Sequence, residues 1–250
     1  MKKQMAKAPV NREASKSEVA YLRVKRDIVN GRISGDEPLR VEALKSSYDL
    51  GITPIREALA RLEAEGFVQL RHNRGYYTTR LSAEDFEDLV FSRATVETEL
   101  LKRAIERGGE EWEVGILSAH HLLRNCALDL RDPNLSDLER WEERHIDFHM
   151  ALVSAAGAKH LLAFYRSIYD HFRRHQKAFV LLPSANRAGQ GDADALRAIE
   201  HMEKRMSIDA HTGLMNAALA RDVDLAVELI RDHSSLTPSQ MGVPYFVGPA

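Results

Sequence analysis

From Ser82 to about residue 235 the chain carries a single kind of pattern, apolar residues recurring every three or four positions, which is the spacing of one face of a helix. Its breaks fall at Gly108-Gly109, Asp132-Pro133, Gly157, Pro183 through Gly191 and Asp222, and they mark off helices at about 83–107, 110–130, 136–156, 158–181, 192–220 and 223–235. Ser82 stands where a cap for the first of them belongs. Helices joined by such short breaks pack as antiparallel neighbours. This half is therefore expected to be an all-helical bundle, whose facing helices can build a metal or ligand site in the core.

The first third follows a different grammar. Residues 1–15 are polar and lack an apolar period, and they read as a disordered arm. Tyr21, Val24 and Ile28 then share one helix face, which Asn30-Gly31 ends. A short second helix spans Leu39, Leu44 and the apolar positions to Leu50, and Thr53-Pro54 is expected to open a third, with threonine as the cap and proline first inside. Within TPIREALARLEAEG, Ile55, Leu59 and Leu62 line one face while Arg56 faces away. FVQLR and YYTTR read as strands flanking HNRG, a tight hairpin turn. Three helices closed by a hairpin predict a winged helix-turn-helix over 16–81, then the bundle over 82–237 and an irregular tail over 238–250. In a winged helix the third helix enters the major groove and the hairpin touches the flanking backbone or minor groove.

Charge divides at the same point. Residues 1–81 hold 16 Lys+Arg against 10 Asp+Glu, and the remainder 19 against 27, so a basic module precedes an acidic one. That asymmetry suits a nucleic-acid-binding segment joined to something else. No run approaches the roughly 18 apolar residues of a membrane span, and MKKQMAKAPV has no signal-peptide core, so a cytoplasmic protein is expected. The one cysteine, Cys126, makes no internal disulfide and no thiolate metal site, and reads as a packed side chain.

Histidines supply the second candidate site. His145 and His149, four apart in WEERHIDFHMALVSAAG, project from one helix face in chelating geometry. His211 and His233 lie on consecutive helices joined at Arg221-Asp222, and antiparallel packing could bring them level. The four imidazoles either hold a divalent metal or pack and hydrogen-bond an organic ligand without one. The HxxxH pair lacks the glutamate of HExxH, which argues against a zinc hydrolase. A purely structural dimerisation module would leave the histidines without a role.

The stretch PLRVEALKSSYDLGITPIREALARLEAEGFVQLRHNRGYYTTRLS resembles the winged helix of the GntR superfamily of transcriptional regulators, most specifically in TPIREALARLEAEGFV. The resemblance implies that Thr53 and Arg56 contact phosphate and base edges, that Arg40 contacts the backbone, and that the wing tip His72, Asn73, Arg74 and Gly75 approaches the minor groove. Gly51 and Ile52 depart from the family's commoner Ser-Arg, which removes one base contact. Residues 83–236 resemble the ligand-binding domain of the FadR-type branch, at Arg93 and Glu97 in SRATVETELL, at the FH of DFHMALVSAAG and around His211 and His233. YDLGITPIREAL is similar to a stretch of the carbon-starvation regulators in that branch. Members resemble metal-assisted sensors in which an aspartate and three histidines hold a cation. Here His145 stands at the aspartate's position and Asp147 faces elsewhere, so the implied set is His145, His149, His211 and His233, nitrogen ligation that suits Zn or Ni. The resemblance further implies a homodimer on a double-stranded operator, released by a small carboxylate, first of all a dicarboxylate. Arg93 is its candidate partner, or else the ion-pair partner of Glu97.

Overall fold

A computed structural model describes residues 14–234. Most of the expected arm, and the whole of the expected tail, lie outside the described residues. The chain divides into two compact units, one of residues up to Ile28 with Arg32–Arg80, the other of Val29–Gly31 with the chain from Leu81.

The first unit runs α1 (Lys16–Val29), β1 (Pro38–Leu39), α2 (Val41–Tyr48), α3 (Ile52–Ala64), β2 (Val68–Arg71) and β3 (Gly75–Thr78). Val24, Ile28, Ile55, Leu59, Leu62 and Phe67 are wholly buried and form its core. The sheet is antiparallel in the order β1-β3-β2, with Leu70 opposite Tyr76 and Leu39 opposite Tyr76 on the other side. Two expectations fail here. Leu39 belongs to β1 rather than to the second helix, because its backbone pairs with the wing. Thr53 is not a cap: Gly51 holds that place in extended geometry with no side-chain bond, and its carbonyl accepts from Ile55 N at 3.3 Å. Pro54 then falls within the first turn, where a missing N–H leaves nothing unpaired.

The second unit holds α4 (Ala83–Arg107), α5 (Glu110–Arg124), α6 (Leu135–Val153), a 3₁₀ turn (Ser154–Ala156), α7 (Lys159–Gln176), a π turn (Lys177–Leu181), α8 (Leu182–Ala188), α9 (Ala193–Arg205), α10 (Ile208–Leu219) and α11 (Val223–Ser234). Among the described residues no helix is long and apolar enough to cross a membrane. α4 packs on α6, α7 and α11, and α5 on α6 and α10. The α4–α7 pair is antiparallel: Phe86 meets Phe172 while Arg93, further along α4, lies over Tyr169. Ser82 caps α4 by accepting from Asp85 N at 3.0 Å. The helix expected over 110–130 ends at Arg124, and Leu130 is buried from a loop instead.

Two further boundaries differ. Pro183 does not end α7, because the backbone widens into the π turn before it and the proline enters α8 in its first turn. The helix expected over 192–220 is two, since the Ser207 hydroxyl accepts from Ala210 N at 3.1 Å and starts α10 afresh. Arg221, with φ of +60°, closes the α10–α11 turn. Its guanidinium donates to the carbonyls of Ile105 and Gly108 at 2.8 Å each, so the turn caps the end of α4.

Candidate metal centre and nucleic-acid surface

Four histidines from three helices converge inside the second unit. His145 and His149 come from successive turns of α6, His211 from the first turn of α10 and His233 from the last turn of α11, and one nitrogen of each lies within 4.8 Å of the others. The Nε2 atoms of His145, His149 and His233 form a near-equilateral triangle with sides of 3.1, 3.1 and 3.2 Å. All four side chains are buried.

The opposite edges of the rings are anchored. His149 Nδ1 lies 2.6 Å from Glu97 Oε1, and His211 Nδ1 lies 2.7 Å from the Ser207 carbonyl. Both partners are acceptors only, so each Nδ1 carries the hydrogen and each Nε2 keeps its lone pair. His145 Nδ1 sits 2.5 Å from the Tyr169 hydroxyl, and the Trp141 indole stacks on its ring at 4.5 Å between centroids. His233 hydrogen-bonds the backbone of Arg205.

Burial, then the neighbouring histidines and Arg93, hold His145 and His233 far below the ordinary imidazole range. Burial and His149 bring His211 down to about 3. His149 is lowered by burial despite the upward pull of Glu97. The rings are neutral at pH 7, the state in which imidazole ligates a metal.

These residues fit a divalent cation. His211 Nε2 is buried without a hydrogen-bond partner among the described residues. Lone pairs 3.1 Å apart repel unless a cation or a proton lies between them. With metal–nitrogen bonds of about 2.1 Å, edges of 3.1–3.2 Å subtend about 95–100°, between octahedral and tetrahedral angles.

Arg93 and Glu97 stand beside the histidines on α4, each 1% exposed, paired at 3.3 Å. Ser234 Oγ donates to the same carboxylate at 3.2 Å. Burial alone would push the Glu97 carboxyl up, but His149 and Arg93 outweigh it and hold it at about 2. Arg93 lies over the rings of Tyr169 and Phe172, and its Nη2, buried beside the Tyr165 hydroxyl, meets no acceptor in good hydrogen-bond geometry among the described residues. The structure therefore gives Arg93 the ion pair with Glu97 and leaves one guanidinium nitrogen over. Asp147 is exposed and pairs with Arg144 at 3.3 Å, away from the cluster. Sequence reasoning missed Tyr169, Trp141 and the Ser207 carbonyl, because none of these carries a ligand pattern of its own.

In the first unit, Thr53 and Arg56 are exposed on the first turns of α3, and Arg40 is exposed at the start of α2. His72, Asn73, Arg74 and Gly75 are exposed at the turn between β2 and β3. Asn73 and Gly75 have φ of +59° and +84°, backbone that these residue types adopt most readily. Arg71, one residue earlier, pairs with Asp36 and stacks on Tyr77, so it is held against the sheet while Arg74 stands out.

Residues 16–77 match the family described as bacterial regulatory proteins, gntR family, and residues 88–235 match the FCD domain. The chain is similar to the HTH-type transcriptional repressor GlaR of Escherichia coli (strain K12), 36% identical over 218 residues that cover 87% of this chain and 91% of that one. It is 32% identical over 228 residues to the HTH-type transcriptional regulator BphR of Paraburkholderia xenovorans (strain LB400), covering 90% and 84%. Among solved structures it resembles E. coli McbR/YncC, with a TM-score of 0.66 at 13% identity over 92% of this chain and 98% of that one. A transcriptional regulator from Rhodococcus sp. RHA1 gives 0.62 at 18% identity over 90% and 96%. At those identities the structural likeness is one of fold.

Proposed function

Because the chain belongs to the GntR family of bacterial regulatory proteins and carries an FCD domain, we propose that it is a cytoplasmic, DNA-binding transcriptional repressor whose operator affinity is lowered by a small organic acid bound beside a four-histidine metal centre. It is a regulator and not an enzyme, as are the relatives it matches. The observation that carries the effector reading is the inward-facing nitrogen set of His145, His149, His211 and His233 beside the unpartnered Nη2 of Arg93. All-nitrogen ligation favours Zn or Ni over Mg or Ca. A bound cation supplies an electropositive position for one carboxylate oxygen. Arg93 supplies a charge-assisted hydrogen bond to another, and a dicarboxylate is the first candidate.

In the first unit, Thr53 and Arg56 read base edges and phosphate, Arg40 holds the backbone, and His72, Asn73, Arg74 and Gly75 approach the minor groove. A homodimer presents two such surfaces to related half-sites. An acid that prefers the DNA-free state weakens operator binding by about 1–3 kcal/mol of coupling.

Elemental analysis of the untagged chain tests this, with operator release by succinate followed by gel shift on the same sample. We expect near-stoichiometric Zn or Ni, lost in His211→Ala, and release that disappears with the metal. Metal-free protein that still releases DNA on addition of the acid would overturn the metal reading and leave a purely organic pocket.

A further inference from the structure

A cavity lies between the end of α5 with the loop that follows it, Trp141 of α6, and the junction of α9 and α10. Its volume is about 260 Å³, and its wall includes Leu123, Cys126, Leu130, Trp141, Met206 and Ile208. That is room for about nine waters at roughly 30 Å³ each, the space of a small organic molecule. Apolar side chains make up most of the lining residues, but polar groups present nearly half of its surface, and three of them matter. Ser207 lines it and also holds His211 through its carbonyl. Glu203 lines it with its charge taken by Arg131 at 3.4 Å. Arg124 lines it too and makes no ion pair among the described residues, so it is the uncompensated charge of the lining.

We propose that this cavity is a binding site for a small monocarboxylate with an apolar, planar body, distinct from the position beside Arg93. The body lies among Trp141, Leu130 and Met206, and the carboxylate meets the Arg124 guanidinium. The Trp141 indole offers an aromatic surface, the kind of wall on which a flat ring gains beyond its buried area. A carboxylate adds a charge-assisted hydrogen bond to the Arg124 guanidinium that an uncharged ligand of the same shape lacks, and a second carboxylate would meet Glu203, so the class is a monoacid. The site has a direct physical link to the histidines. Trp141 stacks on His145, and Ser207 fixes the ring of His211, so an occupant touches the supports of two of the four.

Cys126 makes the test clean, because it is the only cysteine in the chain and it lines the cavity. The full-length protein is labelled with a thiol reagent in the presence of increasing benzoate, and tryptophan fluorescence is followed on the same samples. We expect benzoate to slow labelling of Cys126 saturably and to change the fluorescence with the same midpoint. Arg124→Ala, an exposed position, should raise that midpoint about tenfold while metal content stays as in the parent chain. Benzyl alcohol should bind at least as weakly as benzoate does to the variant. Protection that persists after chelation places benzoate in this cavity. Protection abolished by chelation places it on the metal and overturns the proposal. So does an Arg124→Ala midpoint equal to the parent's, or the absence of any saturable effect. A chain that carries no metal yet shows protection dependent on Arg124 would sink the metal reading above and leave this one standing.

Discussion

At the residue scale the histidine cluster is a case of chemistry set by the far side of each ring. The spacing of His145 and His149 was legible, since four residues along a helix bring two side chains to one face. What the sequence could not reveal is what holds each ring's other nitrogen, because Glu97, Tyr169 and the Ser207 carbonyl reach it through tertiary packing. These partners set tautomer and orientation, so they are themselves open to test. Tyr169→Phe removes only the oxygen 2.5 Å from His145 Nδ1. It should weaken metal affinity about tenfold, measured by competition with a chelating dye, with thermal unfolding of the metal-free protein little changed. An unaltered affinity would show that the hydroxyl does not orient the ring. A different histidine sets an acid limb. His175, packed with Phe86 and Phe179, is held down to about 4 by burial, whereas in the unfolded chain it titrates near 6.5. Between those values the unfolded state binds the extra proton, so this residue's contribution is complete above about pH 6.5 and is lost as pH falls toward 4. His175→Gln should flatten the pH dependence of the urea midpoint in that window, by up to about 1.4 kcal/mol per pH unit. An unchanged slope would mean that the ring stays protonatable in the fold.

Among elements, the helices with clean apolar periods and polar or glycine ends were readable, and those whose ends depend on backbone detail were not. α4 runs over the residues its pattern marked, from the Ser82 cap to Gly108. The failures share a cause. Pro183 usually marks a break, yet the preceding π turn absorbs it, and Ser207 starts a helix inside a pattern that looks continuous. Such boundaries depend on which backbone groups find partners, a quantity that hydrophobic spacing does not encode. The corner between α4 and α5 makes the element scale testable. A methyl group added at Gly108 would collide with the Trp112 ring and lie 2.8 Å from the Ala104 carbonyl oxygen. Trp112 cannot swing aside freely, because its Nε1 donates to the Leu152 carbonyl at 3.0 Å and Arg221 lies against its ring. Gly108→Ala should therefore destabilise the chain by about 1–3 kcal/mol in urea unfolding, although the extended backbone at this cap is one alanine can adopt. A neutral or stabilising result would show that the corner has room to relax.

For the whole molecule, the division of charge at Leu81 and the change from mixed to purely helical pattern pointed to two modules, and two units are what the fold contains. The winged helix was legible because its turn residues are demanding: Asn73 and Gly75 occupy backbone that few residues tolerate. Its β1 strand was not, since two residues carry too little pattern to be seen. Exposure of Arg56 and Arg40 on separate helices yields a paired prediction for operator binding followed by fluorescence anisotropy. Arg56→Ala should lose about 1–3 kcal/mol and relax sequence preference, while Arg40→Ala should weaken all sequences alike and lower the salt slope by about one. Identical behaviour of the two variants would refute the division of labour. The histidine cluster has a consequence for how long the protein lasts. It joins α6 to the two helices nearest the end of the described chain, and no disulfide is available to a chain with one cysteine. A cation seated there acts as a reversible cross-link across some 88 residues of chain, from His145 to His233. On that reading the cell's metal supply would govern the half-life of the regulator under proteolysis, so that starvation for the ion empties the operator by destroying the protein rather than by releasing it.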